Sequence, residues 1–358
     1  MRREENGTPA YRTQVINVER QPEAGTIQAA KLIQNGEVVA FPTETVYGLG
    51  ANGLCGEAVA KIFAAKGRPA DNPLIEHVSK KSDVRRLWMR TPKFAQILMD
   101  TFWPGPLTLI AQKSDCVPDE VTAGLNTVAV RMPLNKTARA LISKAGVPIA
   151  APSANRSGRP SPTTAQHVLD DMDGRIPLIL DGGPCEVGLE STVLDMTAEP
   201  PAIVRPGGVT REMLAAVLPA VAVAGSVMRP LARGEKAVSP GMMYRHYAPK
   251  GQMTLVRGAP ENVRETCLRL YREARTRGEK ARVLAPAEHA PWYEGCEALA
   301  VGSLARPETV AHELFAALRR MDDEGVAIIV CEAVEPEGIG LAILNRLYRA
   351  AAFRVLEV

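Results

Sequence analysis

Val147-Pro148-Ile149-Ala150-Ala151-Pro152-Ser153-Ala154-Asn155 is a short apolar run that stops at a proline and then presents a hydroxyl and an amide. An apolar run of this length bounded by a turn signal reads as a buried strand over 147–151. Polar side chains just past the carboxyl end of a strand occupy the place where open α/β sheets hold ligands. Ser153 and Asn155 are equally suited to closing a turn on nearby backbone groups, so the stretch alone gives a strand and a candidate site without a ligand. Downstream, Ser161 precedes a helix expected from Thr163, where Thr163 and Gln166 have capping-box spacing. A helix N-terminus there favours an anion.

The same alternation runs outward in both directions. Helices are expected over 27–34, 57–65 and, from a Thr91-Pro92 start, to about residue 101. Strands are expected over 38–41, 107–112, 127–132, 177–180 and 192–194. Past residue 249 a second series begins, with strands over 254–256, 282–285 and 326–331 and helices over 260–275, 307–321 and 339–353. Val310, Leu314, Leu318 and Met321 give one of these helices an apolar face. Between the two series lies a basic, Gly- and Pro-rich stretch too long for an ordinary loop, hence functional or a domain connector. The chain therefore divides into a flexible tail (1–22), a first α/β domain (23–215), a linker (216–249) and a smaller α/β domain with a largely parallel sheet (250–358).

Composition narrows the function. Hydrophobic residues make up 46% of the chain, enough for two real cores, and the net charge of +3 is too small to mark a nucleic-acid binder. The six cysteines show no C-x-x-C pairing, the charged start has no apolar signal region, and no run is long enough to span a bilayer. Cytoplasmic placement is the expectation, with no membrane partner.

Several strand ends carry chemistry. Lys66-Gly67-Arg68-Pro69 has the form of a helix stop, and equally displays two cations able to grip a polyphosphate or carboxylate. Arg131 ends one expected strand and Arg205 another, and Gly188-Leu189-Glu190-Ser191-Thr192 is a polar loop before a third. Gly48-Leu49-Gly50-Ala51-Asn52-Gly53 matches G-x-G-x-x-G, but Pro42 precedes it and no acidic strand end follows at the required distance. It reads as a glycine-rich turn approached closely by other backbone. There is no Walker loop, no G-x-S-x-G elbow and no H-E-x-x-H motif.

Taken in order, 41–50 (FPTETVYGLG), Lys66-Gly67-Arg68-Pro69, Asp71-Asn72-Pro73-Leu74, Trp103-Pro104-Gly105-Pro106, Val130-Arg131-Met132-Pro133, Pro152-Ser153-Ala154-Asn155 and Glu190-Ser191-Thr192 resemble the YrdC family, whose signature is a split K-x-R … S-x-N tetrad. The linker segment 239–249 (SPGMMYRHYAP) and the module after it resemble the family's long, two-domain form. The resemblance implies a twisted open-sheet YrdC-like catalytic domain followed by a smaller Rossmann-like α/β domain. It also implies an ATP-dependent nucleotidyltransferase that makes L-threonylcarbamoyladenylate and pyrophosphate from L-threonine, bicarbonate and ATP. The product would pass to a tRNA threonylcarbamoyltransferase complex that modifies the adenosine beside the anticodon.

By the same resemblance, Lys66, Arg68, Asn72, Thr127, Ser153, Asn155, Ser161 and Arg205 would serve ATP, with Tyr244, His246 and Tyr247 folding over it as a gate. Thr45, His77, Arg131, Ala151 and Ser191 would contact L-threonine, and Mg2+ would arrive on the ATP phosphates with no protein ligand. His77 follows Glu76 where the family has an apolar residue. Alternation along a strand would turn Glu76 away from His77. A related carbamoyltransferase would need acylphosphatase-like and zinc-finger modules for which the chain has no room. A purely RNA-binding reading of the concave face fits the near-neutral charge poorly, although weak tRNA contact stays compatible with it.

Overall fold

The computed structural model describes residues 11–231, 237, 239 and 246–358. The first unit contains strands β1 (Gln14–Asn17), β2 (Val39–Phe41), β3 (Gly48–Asn52), β4 (Ile75–His77), β5 (Leu107–Gln112), β6 (Thr127–Arg131), β7 (Ile149–Ala150), β8 (Leu178–Asp181), β9 (Thr192–Asp195), β10 (Ala202–Arg205) and β11 (Ala222–Val223). Its helices are α1 (Pro22–Gln34), α2 (Gly56–Lys66), α3 (Val84–Leu87), α4 (Ala95–Phe102), α5 (Asp119–Thr122), α6 (Lys136–Ala145), α7 (Ala165–Met172) and α8 (Arg211–Ala215). The strands form one mixed sheet in the order β1-β8-β2-β3-β7-β4-β6-β5-β9-β10-β11.

Alternation assigns the two faces. Leu107, Leu109, Val128, Val130, Leu194 and Ile203 point into a core shared with α2 and α4. On the other face α1 and α6 cover one end of the sheet, where Ala29, Ile33, Leu141 and Ile142 meet Val39, Phe41 and Ile149. Beyond them Ile75, Ile110, Ala129, Val193 and Val204 form a small apolar floor with Ala224 packed against it. That half of the face, left open by α1 and α6, holds the site.

The second unit is a five-stranded, all-parallel sheet of β12 (Gln252–Arg257), β13 (Ala281–Ala285), β14 (Ala298–Ala300), β15 (Ile328–Glu332) and β16 (Val355–Glu357), in the order β14-β13-β15-β12-β16. Helix α9 (Pro260–Thr276) covers one face, and α10 (Pro307–Asp323) and α11 (Gly340–Ala350) cover the other. The outer sides of α10 and α11 close on the first unit. Val46, Leu189 and Tyr247 share one apolar cluster with Leu314, Phe315, Leu318 and Ile343. Buried Arg319 donates to Asp171 Oδ2 at 2.8 Å and to the Pro160 carbonyl at 2.6 Å.

Five sequence expectations change. Within the 1–22 tail, residues 14–17 are an ordered edge strand paired in parallel with β8, because Ile16 and Val18 complete the core under α1. The 216–249 linker begins inside the sheet, since Ala222 and Val223 pair with β10. Helix α4 starts at Ala95 rather than at Pro92, and α7 is capped by Thr164 rather than Thr163, its hydroxyl accepting from the His167 amide. The Gly48–Asn52 stretch is a strand, not a turn, although close approach is its purpose. A Cβ on Gly50 would lie 2.5 Å from the Ile149 side chain and 2.7 Å from the Phe41 ring.

Gly188 lets the backbones of the two units approach closely. Its φ is +77°, and a Cβ there would stand 2.5 Å from the His312 Cα on α10. A left-handed backbone and a rigid helix backbone both reject a side chain at that point. Gly188→Ala is expected to lower stability by about 1–3 kcal/mol, read as a drop in Tm; an unchanged Tm would mean the units do not close this way in solution.

Candidate active site

The cleft over the apolar floor is lined by residues of the first unit and, at His246 and Tyr247, of the linker that follows it. Thr45, His77, Arg131, Ala151 and Ser191 all line it, together with Arg68, Ser153, Glu190, Arg205, His246 and Tyr247. The lining residues come from separate segments, each placed by a strand end or the loop after it.

Strand alternation explains the central pair. His77 and Arg131 are register partners on the parallel strands β4 and β6, so both point to the open face. Arg131 is buried, and its guanidinium is aimed by three protein acceptors: the Gly105 carbonyl at 3.2 Å, Thr45 Oγ1 at 2.9 Å and Glu44 Oε1 at 2.6 Å. Burial tends to raise the Glu44 carboxyl, but Arg131 outweighs it and holds it below the usual range. His77 is neutral: burial, then the nearby Arg131 charge, pushes its pKa down to about 3. Its Nδ1 faces the Ile75 and Ile149 carbonyls at 3.1 and 3.3 Å, so Nδ1 carries the proton and Nε2 is left as an acceptor.

Arg205 reaches the same face through an irregularity. The β9–β10 register shifts between Ile203 and Arg205, pairing Arg205 with Val193 and turning it towards the cleft. It donates to the Ser191 carbonyl and to Ser191 Oγ, both at 3.1 Å, while Ser191 Oγ also bonds Thr108 Oγ1 at 2.7 Å. Burial brings the Arg205 pKa down to about 10, so it stays charged at neutral pH.

The K-x-R and S-x-N residues meet, but in different roles. Helix α2 ends at Lys66, capped by Gly67 in a left-handed conformation. Arg68 is thereby carried to the cleft wall, whereas the buried Lys66 Nζ donates to the Ser153 and Asn155 carbonyls at 2.5 and 2.6 Å. Burial, then the neighbouring Arg68 charge, holds the Lys66 pKa well below that of an exposed lysine. Asn155 braces its own loop through the Arg156 and Arg159 carbonyls and accepts from Ser153 Oγ. Asn72 accepts an Arg68 bond on its carbonyl, and Ser161 donates to Glu190 Oε1. Thus Lys66, Asn72, Asn155 and Ser161 stand behind the lining rather than in it. Thr127 lies outside the lining too, yet on the same face of β6 as Ala129 and Arg131, about 13 Å along the strand from Arg131.

Of the expected gate, His246 and Tyr247 line the cleft, and Tyr244 lies outside the described residues. Burial keeps His246 neutral, its pKa pushed down to about 3, and its ring meets Tyr247 edge-on at 4.2 Å. Sequence reasoning named neither Glu44 nor Glu190 as a site residue, although both stand inside motifs it quoted. Among the described residues no three His, Cys, Asp or Glu side chains gather as a metal site, and no helix is long and apolar enough to cross a membrane.

Comparison with known proteins gives the family. A family model described as "Telomere recombination", for Sua5, YciO and YrdC, matches residues 31–207, and one described as "Threonylcarbamoyl-AMP synthase, C-terminal domain" matches residues 209–352. The chain belongs to the Sua5/YciO/YrdC family, in the form that carries this additional C-terminal domain. It is 45% identical to the threonylcarbamoyl-AMP synthase of Pyrococcus abyssi, over 97% of this chain and 100% of the relative. Identity to the threonylcarbamoyl-AMP synthase of Bacillus subtilis is 48%, over 92% of this chain and 94% of that one. The crystal structure of P. abyssi Sua5 complexed with L-threonine superposes with a TM-score of 0.89 at 44% identity, covering 97% of this chain and 98% of that one.

Glu76 alternates away from His77, as its place in β4 requires, and enters the core with neither carboxylate oxygen hydrogen-bonded. It packs against Gly53, where a Cβ would lie 2.0 Å from Oε2, and burial pushes its pKa from 4.5 up to about 8. The folded state therefore holds this proton more tightly than the unfolded one. Stability is full below pH 4.5 and falls by about 1.4 kcal/mol per unit until pH passes the folded pKa. Between pH 5 and 8 the Tm of the native protein is expected to fall relative to that of Glu76→Gln. Parallel Tm curves would show that the carboxyl is not buried as a neutral acid.

Proposed function

We propose that the cleft is the active site of an L-threonylcarbamoyladenylate synthase, which condenses L-threonine, bicarbonate and ATP into threonylcarbamoyl-AMP and pyrophosphate. The observation that carries the reading is the convergence of Thr45, His77, Arg131, Ala151 and Ser191, from separate segments, on one cleft. Arg131 is aimed for a carboxylate, and Thr45, Ser191 and the His77 Nε2 supply the hydroxyl and acceptor groups that suit an amino acid with a side-chain hydroxyl. Arg68, Ser153 and Arg205, which line the same cleft, receive the phosphates, with Asn72, Thr127, Asn155 and Ser161 supporting or extending that part of the site.

The threonine amine bonds to the carbon that bicarbonate supplies as carbon dioxide, and the amine proton and the hydroxide lost from bicarbonate leave as water, giving a carbamate. A carbamate oxygen then attacks the α-phosphorus, and the bond to the β-phosphate oxygen breaks to release pyrophosphate. The chain's part is to hold the two reactants in line and to place guanidinium charge where negative charge builds up. His246 and Tyr247 close the cleft against water. Mg2+ bound to the triphosphate would offset phosphate charge. Glu190, the carboxylate on the cleft wall, is committed to Ser161 and Arg346, which suits a metal carried by the nucleotide instead of a protein carboxylate. The product feeds threonylcarbamoylation of tRNA beside the anticodon by a separate transferase complex.

The test follows pyrophosphate release by the purified chain with ATP, Mg2+, bicarbonate and L-threonine. Release that needs both threonine and bicarbonate is expected, and release indifferent to either would reject the assignment. In the same assay Arg131→Lys is expected to raise the threonine KM by roughly 10- to 100-fold, since a point charge replaces a planar fork. An unchanged threonine KM would remove Arg131 from the carboxylate site.

A further inference from the structure

Glu190 poses an electrostatic problem for a phosphate-binding cleft. It is a buried carboxylate lining the same pocket as Arg68 and Arg205. An uncompensated negative charge there would repel a triphosphate, the more strongly for being shielded from water. Among the described residues its oxygens meet one partner from each unit. Ser161 of the first unit donates to Oε1, and Arg346 of α11 in the second unit donates through Nε to Oε2 at 2.8 Å.

Arg346 is completely buried, and among the described residues its guanidinium meets several groups next to the cleft. Nη1 donates to the Pro206 carbonyl at 3.0 Å, next to Arg205, and to Asn345 Oδ1 at 2.8 Å, while Nη2 donates to the Glu190 carbonyl at 3.4 Å. The guanidinium also stands over the ring of Tyr247, 5.4 Å from its centroid. Asn345 is in turn fixed by the Val227 carbonyl of the first unit. Burial tends to raise the Glu190 carboxyl, yet Arg346 first and Arg205 second hold it below the usual range. The carboxylate is therefore charged and matched to a cation from another domain.

We propose that Arg346 is a positioning residue of the active site, supplied by the C-terminal domain, whose charge allows Glu190 to hold Ser161 without repelling the nucleotide. This gives the second domain a role in ATP binding through one guanidinium, and it links that role to closure, because the same group supports Tyr247. The inference rests on the assignment of the cleft to ATP made above.

The test uses the full chain and three variants: Arg346→Met, Glu190→Gln, and the two combined. ATP KM, threonine KM and kcat are read from threonine-dependent pyrophosphate release, with Tm measured alongside. Arg346→Met is expected to raise the ATP KM at least tenfold while the threonine KM stays within twofold. Adding Glu190→Gln removes the unpaired charge and is expected to recover most of that loss. A purely mechanical clamp between domains would shift both KM values together and would not be rescued by a second neutral residue; that result overturns the proposal, as does an unchanged ATP KM in Arg346→Met. Should Arg346→Met not fold, the double variant, which buries no lone charge, decides the matter. An ATP KM near the native value supports charge cancellation, and a tenfold loss contradicts it. A native enzyme that released no threonine-dependent pyrophosphate would reject the ATP assignment itself, a failure separate from that of Arg346.

Discussion

A single buried amine joins the two halves of the site. Lys66 Nζ reaches the Ser153 and Asn155 carbonyls, and the Lys66 carbonyl in turn accepts from the Ser157 amide at 3.0 Å. Helix α2 and the loop after β7 are thereby locked together at the point where each leaves the regular fold. The Asn155 bond is buried and the Ser153 bond partly so, and leaving a buried acceptor unpaired costs more than pairing it gains. The rest of the cleft follows from this lock. Gly67 turns the chain, and Arg68 and Ser153 both come to line the cleft.

Around that frame the cleft is charged but internally balanced. Arg131 is paired with Glu44, Glu190 with Arg346, and Arg205 is held on Ser191. His77 and His246 are both kept neutral by burial, so neither adds charge to the cleft near pH 7. Groups fixed in this way pay little reorganisation when a charged ligand arrives, which is the property that positions reactants and stabilises developing charge. The second domain belongs to this arrangement, because Tyr247 and Leu189 pack into its apolar cluster and Arg346 enters the wall.

Much of this was legible in the sequence, for reasons that are local. Lys66-Gly67 stops a helix because glycine accepts the left-handed conformation, and Arg131 ends a strand on the open face because alternation places it there. Thr45, Arg131 and Ser191 were readable as motif positions and His77 and Ala151 only through the family resemblance, and all five line one cleft. Long-range causes were not readable. The edge strand at 14–17 depends on β8, more than 160 residues away, so its polar surroundings looked like a tail. The Gly48–Asn52 segment looks like a turn until Phe41 and Ile149 are seen to need the space its missing side chains leave. Arg346 sits on an ordinary amphipathic helix, and only the docking of α11 shows that it meets Glu190. Lys66 was readable as a phosphate-gripping cation and as a helix-stop residue, but not as the donor to two carbonyls close to 90 residues away.

That last contrast gives the most direct measurement: amide hydrogen exchange of residues 154–157 in the ligand-free protein and in Lys66→Met. If the buried amine is the frame of the site, exchange at the Ala154 and Ser157 amides accelerates in the variant before any nucleotide is added. Unchanged exchange without ligand, with a difference appearing only in the presence of ATP, would contradict this account and make Lys66 a direct phosphate ligand.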